Sequence, residues 1–179
     1  MPETNVTHRM LAADFLTQSY RVVGKIMVPN TGMVGLINDP TNSFMEVVDA
    51  KLARIHMPTK LVGEYKMIDL VKDNVFAICL TRREDVGPQA LVRGGYQNTV
   101  EYSIRATSQV YELEGKLEWA GRFNFAAIMM EGVRDFVPLY NATLTAILIP
   151  QFHIECPAIL FNRKQVDLLG LVSEKKEPV

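Results

Sequence analysis

Two glycine–lysine pairs are the first residues in this sequence that invite a chemical reading. Gly24-Lys25 and Gly115-Lys116 stand in similar surroundings, YRVVGKI and YELEGKL. A glycine before a lysine belongs to a phosphate-cradling loop when that loop is glycine-rich, joins a strand to a helix and continues with Ser or Thr. Here the lysines are followed by Ile26 and Leu117, inside strand-like runs. The pairs therefore read as a bulge or close backbone approach at the glycine, with the lysine on a solvated face. His8, His56 and His153 have no second histidine or carboxylate at metal-ligand spacing. Cys79 and Cys156 form neither a CxxC nor a Cys/His cluster, so zinc has no support. Cys79 lies in the apolar run VFAICL and reads as a buried free thiol, a usage that fits a reducing compartment. No GxSxG elbow presents a nucleophile. The carboxylates Asp39, Glu46, Asp49, Asp69 and Asp73 are scattered, and Asp69 and Asp73 border a turn. The sequence thus supplies no catalytic residue, no cofactor-binding residue and no metal ligand.

Two patches remain. Arg82, Arg83 and Arg93 bracket a connector and could hold a small anionic ligand through charge-assisted hydrogen bonds. Glu84 and Asp85 follow at once and offset that charge. Phe123, Phe125, Ile128, Met129 and Met130 make the run RFNFAAIMM a Met- and Phe-rich surface, suited to a protein partner or to a seam inside the molecule.

The elements that must carry these residues follow a repeated order. Laying 20–80 over 111–171 matches Tyr20 with Tyr111, Gly24 with Gly115, Phe44 with Phe136, Ala50 with Ala142, Leu52 with Leu144 and Pro58 with Pro150. The offset is 91, then 92, then 91 residues, and single-residue slips belong in loops. Asp49 aligns with Asn141, a pair that reads as capping a turn or touching the other copy. The fold expected is mainly β with short helices. It is a tandem duplication of a strand–short helix–strand–hairpin unit, as small bent sheets or partial barrels packed with pseudo-two-fold symmetry. The divisions are a lead-in at 1–19, a first repeat at 20–81, a connector at 82–99, a second repeat at 100–172 and a tail at 173–179. The lead-in could form a short helix over 7–18 or the start of a long bent strand. Strands are expected at 20–28 and 44–55, the latter ended by Pro58, with helical turns at 33–38. Segments 61–71 and 74–81 read as a hairpin turning at Lys72-Asp73. In the second copy the strands are 110–119 and 136–149, the helix is 122–130 with Gly132 as its stop, and the hairpin joins 152–161 to 165–172. Residues 100–105 alternate and read as an additional strand. Tyr20/Tyr111, Phe44/Phe136 and Leu52/Leu144 are expected to be buried in both copies.

The first copy resembles a family of short β-rich bacterial domains of unknown function. The likeness rests on Tyr20, Arg21, Gly24, Leu36, Asn38, Phe44, Val47, Asp49 and Ala50. The second copy keeps Tyr111, Gly115, Phe136, Leu139, Asn141 and Ala142, has Glu112 in place of the arginine, and lacks the Leu-x-Asn helix end. The resemblance implies an architecture and brings no activity with it.

Bulk properties narrow the function classes. A repeat of about 65–80 residues buries only roughly 60% of its unfolded surface, so the copies are expected to depend on each other. The net charge of −1 leaves none of the basic footprint of a nucleic-acid binder. No run reaches about 18 apolar residues and no signal peptide is visible, which points to the cytoplasm with no membrane partner. The matched positions are fold-shaping residues, with no repeated acid, base or nucleophile. The reading is a non-catalytic interaction, scaffold or assembly module with a protein partner or self-association. A sensor of an anionic ligand at the connector arginines comes second, and an enzyme without a recognisable motif third.

Overall fold

The computed structural model describes residues 7–88, 99–130 and 134–172. The chain is mainly β. Among the described residues, ten strands form one antiparallel sheet with two short helices set against it. In chain order they are β1 (Arg9–Thr17), β2 (Tyr20–Val28), α1 (Gly32–Ile37), β3 (Phe44–Arg54), β4 (Met57–Val71) and β5 (Val75–Leu80). Then follow β6 (Thr99–Thr107), β7 (Tyr111–Ala120), α2 (Phe125–Met130), β8 (Phe136–Ala146), β9 (Ile149–Asn162) and β10 (Leu168–Leu171). The spatial order is β10-β6-β7-β8-β9-β5-β1-β2-β3-β4. The first half is thus ordered β5-β1-β2-β3-β4 and the second β10-β6-β7-β8-β9, joined where β9 pairs with β5.

Several boundaries differ from the expectation. The lead-in is strand β1, because Leu11, Ala13 and Phe15 alternate inward and both its edges are paired. Its counterpart is β6, the additional strand expected before the second copy. Pro58 does not end a strand. It lies near the start of β4, whose other edge has no partner among the described residues, the place where a missing N–H does no harm. The hairpins are β3–β4 and β8–β9. β4 and β5, joined by the 3-10 turn Lys72–Asn74, do not pair, and neither do β9 and β10, joined by Arg163–Gln165.

The reason is legible in VFAICL. All six residues of β5 are buried, so this strand needs cover on both faces and a neighbour on both edges. Val75, Ile78 and Leu80 enter one core with Phe15, Val22, Met33 and Val47. Phe76, Ala77 and Cys79 enter a second core with Tyr111, Leu113, Ile128 and Leu144. Residues 158–161 of β9 alternate in the same way, Ala158 and Leu160 in the first core, Ile159 and Phe161 in the second. The β9–β5 pair is therefore a wall shared by both cores. Phe136 and Tyr140 of β8 also reach the first core, and Leu16 and Ile55 of the first half reach the second. Each half completes the other's interior.

Candidate functional site

The two matched glycines occupy the same kind of place. The β2–β3 register slips between Val23 and Lys25, and the β7–β8 register slips between Glu114 and Lys116. Opposite these slips, Asp49 has φ 51° and Asn141 has φ 45°, the only non-glycine residues among those described in the left-handed region. Asp and Asn tolerate that region better than other side chains, which explains an Asp/Asn pair at a bulge. A Cβ on Gly24 would lie 2.5 Å from Val47 Cγ1 and 3.0 Å from the Val48 carbonyl oxygen. One on Gly115 would lie 2.9 Å from Ala142 Cβ. The lysines beside them are structural. Lys25 pairs with Asp49 at 3.0 Å in solvent, and Lys116 donates to Ser103.

The seam between the halves is held by named polar contacts. Asn38, at the end of α1, donates its amide to the Phe136 carbonyl at 3.2 Å and accepts from the Phe136 N–H at 2.9 Å. The Leu-x-Asn helix end, present only in the first copy, is what clamps β8. Asn162, fully buried, donates to the Val75 carbonyl at 3.2 Å. Tyr111 stacks on Phe76 at 5.4 Å and donates its hydroxyl to the Thr17 carbonyl at 2.6 Å. Burial pushes its pKa up. Arg21, bound to Asp14 through two hydrogen bonds, lies over the Phe152 ring.

The same matched positions differ in exposure between the halves. Tyr111 is 0% exposed and Tyr20 38%; Phe136 is 2% exposed and Phe44 47%. Leu144 is buried and Leu52 only half-buried. The expectation that both members would be buried fails for the first copy. Only Phe44 of these lies on the outer face, since Tyr20 is in phase with buried Val22 at the end of β2 and Leu52 packs against the first core. The outer face of β8–β9, with Phe136, Tyr140 and Leu160, is covered by the first half's core.

The sheet ends in two strand edges: among the described residues β4 pairs only with β3, and β10 only with β6. Met67, Val71, Tyr65, Leu61 and Val62 on β4, Phe44 beside it, and Leu168 and Leu171 on β10 are exposed. Between the end of β4 and the turn after β9 opens a cleft of about 410 Å³, lined by Thr17–Tyr20, Leu70, Val71, Asn74 and Gln165. A second cleft, of about 390 Å³, is framed by hairpin tips from both halves, including Gln18, Gln109, Ile55 and Ile149.

Comparison with protein-family models, curated proteins and solved structures gives no match. The reading therefore rests on the chain itself.

Arg82 and Arg83 are engaged by acids. Arg82 holds Asp85 at 3.0 Å, and Asp85 also takes Arg9 at 2.6 Å. Arg83 pairs with Glu118 and lies 4.0 Å from the Tyr140 ring centre. Arg93 lies outside the described residues, as does Gly132. The charges offered to an incoming anion by Arg82 and Arg83 are thus largely met within the protein. The apolar run at 122–130 divides. Ala127 and Ile128 are core, Met129 and Phe123 pack against the second core, and Phe123 meets the Tyr102 ring. Phe125 is exposed and Met130 strongly so. His153 lies between Thr145 and Glu155 in solvent, and His56 lines the cleft between the hairpin tips. Among the described residues, no group of three His, Cys, Asp or Glu could hold a metal, and no helix is long and apolar enough to cross a membrane. Sequence reading missed the edges. Their signal was present as β4's run of exposed apolar residues, but strand order is needed to see that nothing pairs with it.

Proposed function

We propose that this chain is a non-catalytic assembly module, duplicated from one unit and kin to the short bacterial domains it resembles, that associates with a second copy by strand addition. The observation that carries the reading is the β9–β5 junction. It joins the outer edge of β9, one half's fourth strand in sequence, to the outer edge of β5, the other half's fifth strand in sequence. The counterpart edges, β4 and β10, have no partner within the described residues. Such a junction is heterologous, and a heterologous contact left open propagates to another copy or closes a ring.

The registers define the contact. Phe44 pairs with Val71 and Phe136 with Asn162, so Met67, Ile68, Asp69 and Leu70 correspond to Ala158, Ile159, Leu160 and Phe161. Ala13 pairs with Gly24 and Leu80, and Ile104 with Gly115 and Leu171, so Ala77–Leu80 corresponds to Leu168–Leu171. Since Ala77 meets Phe161 and Leu80 meets Ala158, Leu168 of one copy would meet Leu70 of the next, and Leu171 would meet Met67. Asp69 stands where the second half has buried Leu160. An exposed charge on an edge strand weakens edge pairing, so the association is weak and controlled at this residue. A cytoplasmic setting is part of the same reading.

Sedimentation velocity across a concentration series tests this. Wild type should form concentration-dependent dimers or larger species. Met67→Lys and Leu168→Lys should each weaken association by about tenfold or more, as loss of a central apolar contact does. Asp69→Leu should strengthen it. Folded monomer at every concentration, for wild type and for Asp69→Leu alike, would overturn the proposal.

A further inference from the structure

We propose that the cleft between the hairpin tips is a binding site for a small monocarboxylate with an apolar body. This inference does not rest on the assembly reading. The cleft, of about 390 Å³, falls in the usual size range of small-molecule sites. Residues of both halves line it, at matched positions. Tyr20 pairs with Arg54 and Tyr111 with Ala146, while Arg54 pairs with Met57 and Ala146 with Ile149. The Ile55 N–H donates to the Ser19 carbonyl at 2.9 Å, and the Ile147 N–H donates to the Val110 carbonyl at 2.8 Å. Two hairpin tips of one design therefore meet here, with Ser19 corresponding to Val110, Arg54 to Ala146 and His56 to Leu148.

The frame is shared, but its chemistry has diverged. The first half lines the cleft with Ser19, Arg54 and His56, and the second half lines it with Val110, Ala146 and Leu148 at the matched places. Gln18 and Gln109, which also correspond, bring one amide from each half. No acidic residue lines the cleft, and Arg54 and His56 meet no carboxylate among the described residues. This sets them apart from Arg82 and Arg83, whose charges are met by Asp85 and Glu118. Leu148 is 89% exposed, an apolar side chain left in solvent on the apolar side of the cleft.

These two walls define the ligand. The Arg54 guanidinium, with no acid to meet it, attracts an anion, and its planar fork matches a carboxylate through two parallel N–H bonds. His56 and Gln18, from the same half, supply further donors. A ligand charged at both ends gains nothing from the opposite wall, where Val110, Leu148 and Ile149 offer only apolar contact. A wholly apolar ligand would cover Arg54 without pairing it, which costs free energy. The occupant that suits both walls has one carboxylate and a hydrocarbon or aromatic body, whose contact removes Leu148 from water.

The test uses the full-length protein, with octanoate as the probe and octanol as its uncharged counterpart, followed by calorimetric titration and proton–nitrogen correlation NMR. Octanoate should bind saturably and shift the signals of residues 18–20, 54–56, 109–110 and 146–149. Octanol should bind about tenfold more weakly or worse, since it cannot take the charge-assisted bonds. Arg54→Ala, which installs the second half's residue, should weaken octanoate by about tenfold or more. Arg54→Gln gives the same reading if Arg54→Ala does not fold. Leu148→Ser should weaken octanoate by about fivefold through lost apolar contact. The proposal is overturned if octanoate does not saturate, if octanol binds as tightly, or if the shifted signals map to the β4 and β10 edges instead. It also fails if the Arg54 variant or Leu148→Ser binds octanoate as wild type does.

Discussion

The two halves of this molecule share a strand order and a bulge, but they use their outer faces differently. In the second half, Phe136 and Tyr140 on β8 and Leu160 on β9 are buried against the first half. In the first half the corresponding Phe44 and Asp69 face solvent and Val48 is half-buried. The bulge positions do not diverge in this way. Gly24 and Gly115 sit at the same register slip, opposite Asp49 and Asn141 in the same unusual conformation. The comparison separates residues that shape each half from residues that respond to what covers it. One face of the second half is buried against the first half, and the equivalent face of the first half is exposed among the described residues.

The largest expected effect breaks the comparison at Phe136 and Phe44. Phe136→Ala should cost about 3–5 kcal/mol, the range for truncating a buried aromatic. Phe44→Ala should change stability by about 0.5 kcal/mol or less, as surface substitutions do. Urea unfolding of both variants measures the gap, and equal losses would mean that Phe44 is covered in solution. A smaller effect should be shared by the halves. Gly24→Val and Gly115→Val should each destabilise by about 1–3 kcal/mol, because the added side chain collides with Val47 and the Val48 carbonyl in one case and with Ala142 and Leu139 in the other. If only one of them lowers the melting temperature, the glycines are not equivalent in role.

The smallest effect concerns pH. Burial and the nearby Glu118 carboxylate push the Tyr140 hydroxyl up to about 12, against the opposing pull of Arg83. Its counterpart, Val48, has nothing to titrate. A phenol whose pKa is raised by folding keeps its proton after the unfolded chain has lost it. The stabilisation is therefore complete below the ordinary tyrosine value of 10.0 and is lost as pH rises toward about 12. Tyr111 contributes in the same direction through burial. Tyr140→Phe should flatten part of the loss of stability across that window, followed as chemical denaturation at a series of alkaline pH values. An unchanged slope would show that Tyr140 is not coupled to folding.

Much of the fold was written in local residue choices. The strands around Tyr20 and Tyr111, the short helical turn before Asn38 and the strand at 100–105 were legible, because β-branched and aromatic runs and proline or glycine breaks act within a few residues. The lead-in strand was ambiguous, because Met10, Leu11, Phe15 and Leu16 fit a helical face as well as a strand, and only pairing with β2 and β5 decides between them. The hairpins were misassigned for a related reason. Lys72-Asp73 looks like a tight turn, but a turn signal does not say which strands pair. That depends on β5 needing burial on both faces, a need that β9 meets from far along the chain, Leu80 pairing with Ala158 and Ala77 with Phe161. The candidate residues divide in the same way. The sequence by itself determined which glycines sit in matching surroundings and which side chains are apolar. Tertiary structure decided that Arg82 and Arg83 would be met by carboxylates, that β5 would pair with β9, and that β4 and β10 would have no second partner among the described residues. Composition and spacing act along the chain, while edges and seams arise only where distant segments are brought side by side.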